Sequence, residues 1–153
     1  MLIFLDFDGV LHPQPCPSAS SFSRKNLLWE IMRSCSNAQV VFSTSWKVFH
    51  PFDELLGFVT TGGGEDLSSR FIGNTPNIKV NTFYGQRDLE IKCWLTANNN
   101  YAGDWIAIDD TPELFFHETE EITELPSLYV VDGKKGLTAK DVANLTARLK
   151  RAS

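Results

Sequence analysis

The chain has no long hydrophobic run. Its amino-terminal apolar stretch, Leu2 to Leu5, is far too short to cross a bilayer and has neither a basic flank nor a small-residue cleavage site, so no membrane segment or leader is expected. Cysteine is scarce and odd in number: Cys16, Cys35 and Cys93 stand at unrelated spacings, which excludes a disulfide framework and a Cys-x-x-Cys metal site and makes a reducing cytoplasm the expected home. There is no excess of basic residues. With 14 Lys and Arg against 19 Asp and Glu, the formal charge of −5 argues against stable nucleic-acid binding through overall charge, although a local basic patch at a site remains compatible with it. Internal repeats, low-complexity tracts and linkers are also missing, and Gly62-Gly63-Gly64 reads as a loop, so the expectation is one domain over 1–153.

What is present suits a folded enzyme-sized unit. A chain of 153 residues, 42% hydrophobic and 22% charged, is ordinary globular material, and a domain near that size buries roughly 68–70% of its unfolded surface. The most informative segment is Leu2-Ile3-Phe4-Leu5-Asp6-Phe7-Asp8-Gly9-Val10-Leu11, four apolar residues running into two carboxylates one residue apart and then a glycine. The apolar run suits a central parallel strand covered on both faces, and period-two geometry predicts that Asp6 and Asp8 point to the same side. Gly9 lets the chain turn away and leaves both acids at the carboxyl end of the sheet, where open α/β folds hold ligands. Two anions so close call for a hard, oxygen-seeking cation such as Mg²⁺.

Further along, strand and helix alternate. Leu27, Leu28, Ile31 and Met32 recur at helical spacing, with Ser21 or Ser23 available as cap; Ala38 to Phe42 reads as a strand and Phe52 to Phe58 as a short helix. Arg70 to Gly73 reads as a brief extended segment, Asn74 to Gln86 as an irregular excursion, and Arg87 to Asn98 as a helix ended by Asn98-Asn99-Asn100 and Gly103. Trp105 to Ile108 and Leu128 to Val131 complete the strands, and Thr138 with Asp141 fits a capping box before a final helix. This order predicts an α/β, doubly wound, mainly parallel sheet flanked by helices.

Two more strands end in reactive side chains. Val40-Val41-Phe42 closes in Ser43-Thr44-Ser45, and Trp105-Ile106-Ala107-Ile108 closes in Asp109-Asp110. A parallel sheet brings these ends to one edge, and four carboxylates there are costly to bury without a divalent cation between them.

The first segment resembles motif I of the haloacid dehalogenase (HAD) superfamily of phosphotransferases and phosphatases, an apolar strand followed by Asp-x-Asp-Gly-Val/Thr. The resemblance implies Asp6 as nucleophile and Asp8 as acid/base, with an aspartyl-phosphate splitting hydrolysis into two displacements. The second strand end resembles motif II, which implies Thr44 as the hydroxyl on the phosphoryl group, Ser43 as the register alternative and Ser45 as an added donor. The third resembles motif IV, implying a Mg²⁺ site of Asp6, Asp8, Asp109 and Asp110 with Asp109 the direct ligand from its strand. Motif III implies a cation at the start of the preceding helix. Arg87 stands there, where the superfamily more often has Lys; Lys92 lies a turn further on, and Lys79 and Lys47 are further alternatives.

Taken together, Leu-Asp-Phe-Asp-Gly-Val-Leu-His-Pro, Ser-Thr-Ser-Trp, Ile-Gly-Asn-Thr-Pro, Arg-x-x-Glu-Ile-x-x-Trp-Leu and Trp-Ile-Ala-Ile-Asp-Asp look like the compact HAD domains of multi-domain RNA-repair proteins. His12, just after the catalytic loop, is a candidate substrate contact. Lys47 to Gln86 is too short and irregular for a large cap domain, so an open site is expected, taking phosphorylated small molecules or nucleic-acid ends. The competing classes are a receiver-like phosphoacceptor and a catalytically silent HAD-fold interaction module.

Overall fold

The computed structural model describes residues 1–99 and 103–152; Asn100, in the asparagine run expected to end a helix, lies outside them. Five strands form one sheet in the order β3-β2-β1-β4-β5, with β1 Leu2–Leu5, β2 Gln39–Phe42, β3 Phe71–Asn74, β4 Trp105–Asp109 and β5 Leu128–Val130. All neighbouring pairs are parallel. Because β2 and β3 lie on one side of β1 and β4 and β5 on the other, the chain reverses its winding at β1, and the crevice at that strand's carboxyl end is where such sheets hold ligands.

Alternation along the strands assigns the two faces. Ile3, Leu5, Val40, Phe42, Ile106 and Ile108 pack against α1 (Lys25–Ser34), α2 (Phe52–Thr60) and α4 (Ala139–Arg151). Leu2, Phe4, Val41 and Ala107 pack on the opposite face against Ile91 and Trp94 of α3 (Gln86–Ala97) and against Phe115 and Phe116. Both faces are dry, which is why β1 is apolar at every position. Among the described residues no helix is long and apolar enough to cross a membrane, and the three cysteines are free thiols.

The expected capping box exists: Thr138 and Asp141 exchange side-chain and backbone hydrogen bonds at the start of α4. The expected serine cap of α1 does not. The helix begins after Arg24 with no side-chain cap, because 18–24 is drawn into tight turns that bury Phe22 at φ 60°. That left-handed backbone costs about 1–2 kcal/mol for a residue with a side chain, offset by the Phe22 ring meeting Phe7 at 5.4 Å and Trp46 at 5.2 Å between centroids.

Arg70 closes the other end of α1. Its guanidinium donates to the carbonyls of Met32, Cys35 and Ala38, adding charged bonds at the helix end and the turn into β2, where the Met32 and Cys35 oxygens otherwise accept from Cys35 N and Ala38 N. Arg70→Met should therefore lower unfolding free energy by about 2–3 kcal/mol, the worth of charged hydrogen bonds to these carbonyls. Urea denaturation would measure it, and a change below about 0.5 kcal/mol, the ordinary surface-substitution range, would show that water replaces the side chain.

Candidate active site

Register builds the centre of the site. Leu5 pairs with Phe42 on one side and with Ile108 on the other, so the next residues, Asp6, Ser43 and Asp109, stand level at the carboxyl ends of three adjacent strands. The backbone continues the ladder there, Ser43 N donating to Leu5 O at 2.8 Å and Asp6 N to Ile108 O at 3.0 Å. By alternation all three follow residues of the opposite face and fall on the α3 side of the sheet. Each is buried. The Ser43 hydroxyl has no hydrogen-bond partner, whereas the neighbouring Thr44 hydroxyl oxygen accepts from Trp46 N and caps a 3-10 turn over Ser45–Val48. The structure thus places Ser43 in the row and Thr44 beside it, since a one-residue step along a strand reverses the side. Ser45 is exposed on that turn.

α3 supplies the opposing charge. Gly85, at φ 69°, turns the chain into the helix, and its buried residues Arg87, Glu90, Ile91 and Trp94 recur at helical spacing on the inner face. Arg87 lies 3.7 Å from Asp6 Oδ1, 3.4 Å from Asp109 Oδ2 and 3.5 Å from Glu90 Oε2. Glu90 also takes Lys47 Nζ at 2.6 Å, and that ammonium donates to Thr75 Oγ1 at 3.0 Å. Two buried cations therefore share one buried glutamate, on the wall of a cleft of about 210 Å³ that Asn77 and Gln86 also line. Burial holds the Lys47 ammonium below its usual range, opposed by the bond to Glu90.

The acids themselves are unevenly placed. Oxygens of Asp6, Asp109 and Asp110 lie within 4.8 Å of one another. Burial, and then the charge of Asp109, push the Asp6 carboxyl well above the usual carboxylate range against the pull of Arg87. Burial likewise pushes Asp109 up to about 6, although Arg87 and the Thr111 N–H favour its anion. Asp110 is raised by burial as well, and it sits in a slot between two glycines. A Cβ on Gly9 would fall 2.1 Å from Asp110 Oδ2 and one on Gly133 2.3 Å from it. An all-oxygen set of three repelling carboxylates fits a hard divalent cation.

Asp8 departs from the expected arrangement: it does not share the side of Asp6. β1 ends at Leu5, and Val10 N and Leu11 N both return to Phe7 O in a tight turn, with Gly9 at φ 73°. The strand period no longer applies, and the Asp8 carboxylate swings toward the aromatic side, where Oδ1 accepts from His12 Nε2 at 2.8 Å and Trp46 Nε1 at 3.0 Å. The His12 bond, with Trp46 adding to it, holds the Asp8 carboxyl below the usual range. His12 is 2% exposed and bonded inward, so it does not face the opening. Lys92 is also elsewhere: it pairs with Asp88 at 2.6 Å on the outer face of α3, with its side chain 65% exposed. Lys79 is exposed on the loop before α3.

The comparison with known families falls on this geometry. The model of the HAD domain in Swiss Army Knife RNA repair proteins matches residues 2–142. The chain belongs to this family. No curated protein and no solved structure matches it. The HAD match encloses every element of the row, the helix that carries Arg87 and the acids of β4.

The motif resemblance gives Glu90 and Trp46 no site role, and helix position puts Lys47 behind Arg87 and Lys92. A signal for Glu90 did exist, because it lies on the same helical stripe as Ile91 and Trp94 and a charge inside an apolar stripe needs a partner. Lys47 and Trp46 carry no such pattern.

The raised carboxyls predict a pH effect. A carboxyl whose folded pKa lies above its unfolded value contributes stability at low pH that is lost as pH rises through the folded value. In chelator, the melting temperature should fall from about pH 4 to about pH 6 as Asp109 ionises, by roughly 3–6 °C for a chain of this size. Asp109→Asn should flatten that descent. An unchanged slope in the variant would remove Asp109 as its source.

Proposed function

We propose that this HAD-family chain is a metal-dependent phosphomonoesterase that uses Asp6 as nucleophile and passes through an aspartyl-phosphate. The observation that carries the reading is the row of Asp6, Ser43 and Asp109 at the sheet edge with Arg87 against it: a nucleophile, an unpartnered buried donor, an acid for a cation and a fixed positive charge. Asp6, Asp109 and Asp110 would hold the cation, for which Mg²⁺ is the proposed identity. When bound, it would offset charge on the phosphoryl oxygens and relieve the repulsion among the three acids.

The chain's own groups divide the remaining work. The Asp6 carboxylate attacks phosphorus; the Ser43 hydroxyl, which has no other partner, hydrogen-bonds a phosphoryl oxygen; Arg87 counters charge as it shifts in the transition state. Asp8 gives a proton to the leaving oxygen and then takes one from the water that cleaves the acyl-phosphate. Glu90 holds the guanidinium from behind and is itself held by Lys47.

The connections over the sheet edge are loops and short 3-10 turns, 6–24 after β1 and 75–85 before α3, so the proposed substrate is a phosphorylated group on a bulky carrier. The family's RNA-repair description makes phosphorylated nucleic-acid ends the first class to screen, with nucleotides, phosphopeptides and sugar phosphates beside them. The free thiols fit a cytoplasmic setting.

Acid-quenched mass spectrometry during turnover with Mg²⁺ should show a phosphoryl adduct on Asp6. Asp6→Asn should lose the adduct and reduce turnover about a thousandfold or more, as removal of a nucleophile does. An adduct that survives in Asp6→Asn would overturn the assignment, and one that accumulates without turnover would favour a phosphoacceptor. Full activity in excess chelator would eliminate the metal, and Asp109→Ala should weaken Mg²⁺ binding more than Asp110→Ala. Arg87→Ala should lower kcat by about a hundredfold, the scale of one lost electrostatic group, while Lys92→Ala stays near wild type; the reverse ranking would move the cation's role to Lys92.

A further inference from the structure

Two ring donors that no other part of the site uses hold the Asp8 carboxylate, with the Gln14 side chain a weaker third partner. His12 Nε2 at 2.8 Å and Trp46 Nε1 at 3.0 Å converge on the same oxygen, Oδ1. The imidazole is fixed in its turn: Phe22 N–H donates to Nδ1 at 3.2 Å, which makes Nδ1 the acceptor and leaves the proton on Nε2, aimed at Asp8. Packing fixes both rings. His12 lies edge-on to Phe22 at 5.3 Å, and the Trp46 ring is bracketed by Phe7, Phe22 and Phe58 within 6.1 Å between centroids. Phe22 keeps its left-handed backbone in this cluster, so local strain is held where the imidazole is oriented.

Two ring donors on one oxygen fix the orientation of the carboxylate and leave Oδ2 without a ring donor. We propose that His12 and Trp46 are positioning residues that clamp Asp8 by Oδ1, so that Oδ2 is the oxygen that exchanges protons with the leaving group and with water. This deepens the phosphatase reading above and rests on it. In the first displacement an Asp6 oxygen bonds phosphorus, the bond from phosphorus to the leaving oxygen breaks, and that oxygen takes its proton from Asp8 Oδ2. In the second, Oδ2 takes a proton from water as the water oxygen bonds phosphorus and the bond from phosphorus to Asp6 breaks. Neither His12 nor Trp46 touches the reacting atoms; each acts through Asp8.

The clamp matters most where the departing oxygen is strongly basic, because phenolate needs the proton that dinitrophenolate does without. The test is kcat/KM with Mg²⁺ for dinitrophenyl, nitrophenyl and phenyl phosphate, which reports the step in which the leaving group departs. Trp46→Phe keeps a ring in the cluster and removes the N–H. It should lose about tenfold on phenyl phosphate, the scale of a weakened general acid, and less than about twofold on dinitrophenyl phosphate. His12→Gln, which offers an amide N–H near the place of Nε2–H, should retain more activity on phenyl phosphate than His12→Leu does. Thermal melts check that each variant is folded, and Trp46→Phe carries the test if either His12 variant is not. An active wild type whose Trp46→Phe variant loses the same factor on every ester, or loses nothing, would overturn the clamp and leave the phosphatase reading standing. A wild type inactive on every phosphate ester would overturn the reading itself.

Discussion

Three carboxylates gathered within 4.8 Å at the buried edge of a parallel sheet repel one another, and the surrounding residues are arranged around that repulsion. Water, which would ordinarily screen such charges, is largely excluded from Asp6 and Asp109. Arg87 stands against both, and the Thr111 N–H supports Asp109. These contacts are incomplete compensation. Burial keeps the Asp6 and Asp109 carboxyls raised despite the guanidinium, which meets them at ion-pair distances and also faces Glu90. The unbalanced anionic charge is what a divalent cation would answer.

Backbone geometry makes this crowding possible. Because the parallel strands β2, β1 and β4 pair in step, Ser43, Asp6 and Asp109 are level, and because each is one residue beyond the last ladder pair, all fall on the face of α3. The price is local. Gly9 and Gly133 must lack side chains so that Asp110 can reach the same place from the turn after β4. Asp109 and Asp110 are neighbours in the chain, yet only the first is in the row; the second arrives through space that two glycines leave open.

The two acids of Asp-Phe-Asp serve opposite faces. Asp6 belongs to the charged side, with Arg87, Glu90 and Lys47 behind it. Asp8 belongs to the aromatic side, where His12 and Trp46 hold it within a cluster of Phe7, Phe22 and Phe58. That separation leaves the second carboxyl out of the three-acid set, although its charge still raises Asp110, and gives it a different electrostatic environment: Asp6 is raised by burial and Asp109, Asp8 lowered by hydrogen bonds. Two chemically identical groups are made unlike by their partners, which is the condition for giving them different parts in one reaction.

Much of this was readable along the chain. Apolar runs that stop in Asp6 and Asp109 mark strand ends because an uninterrupted run is what a strand buried on both faces requires, and Arg87 at a helix start follows from helical spacing. The alternation of these elements led to the doubly wound sheet, and the Thr138 box is a purely local hydrogen-bond pattern. Other features depended on residues far apart in sequence. Register across β2, β1 and β4 set Ser43, not Thr44, level with Asp6; a turn after β1 sent Asp8 away from Asp6; Trp46 reached Asp8 and Lys47 reached Glu90 across 38 and 43 positions. Burial and spacing act along the chain, so the ends of most strands, and the reactive side chains standing there, can be read from residue order. Which of those side chains face one another depends on strand pairing and packing, since hydrogen bonds and charges act through space and a single step of register reverses the face.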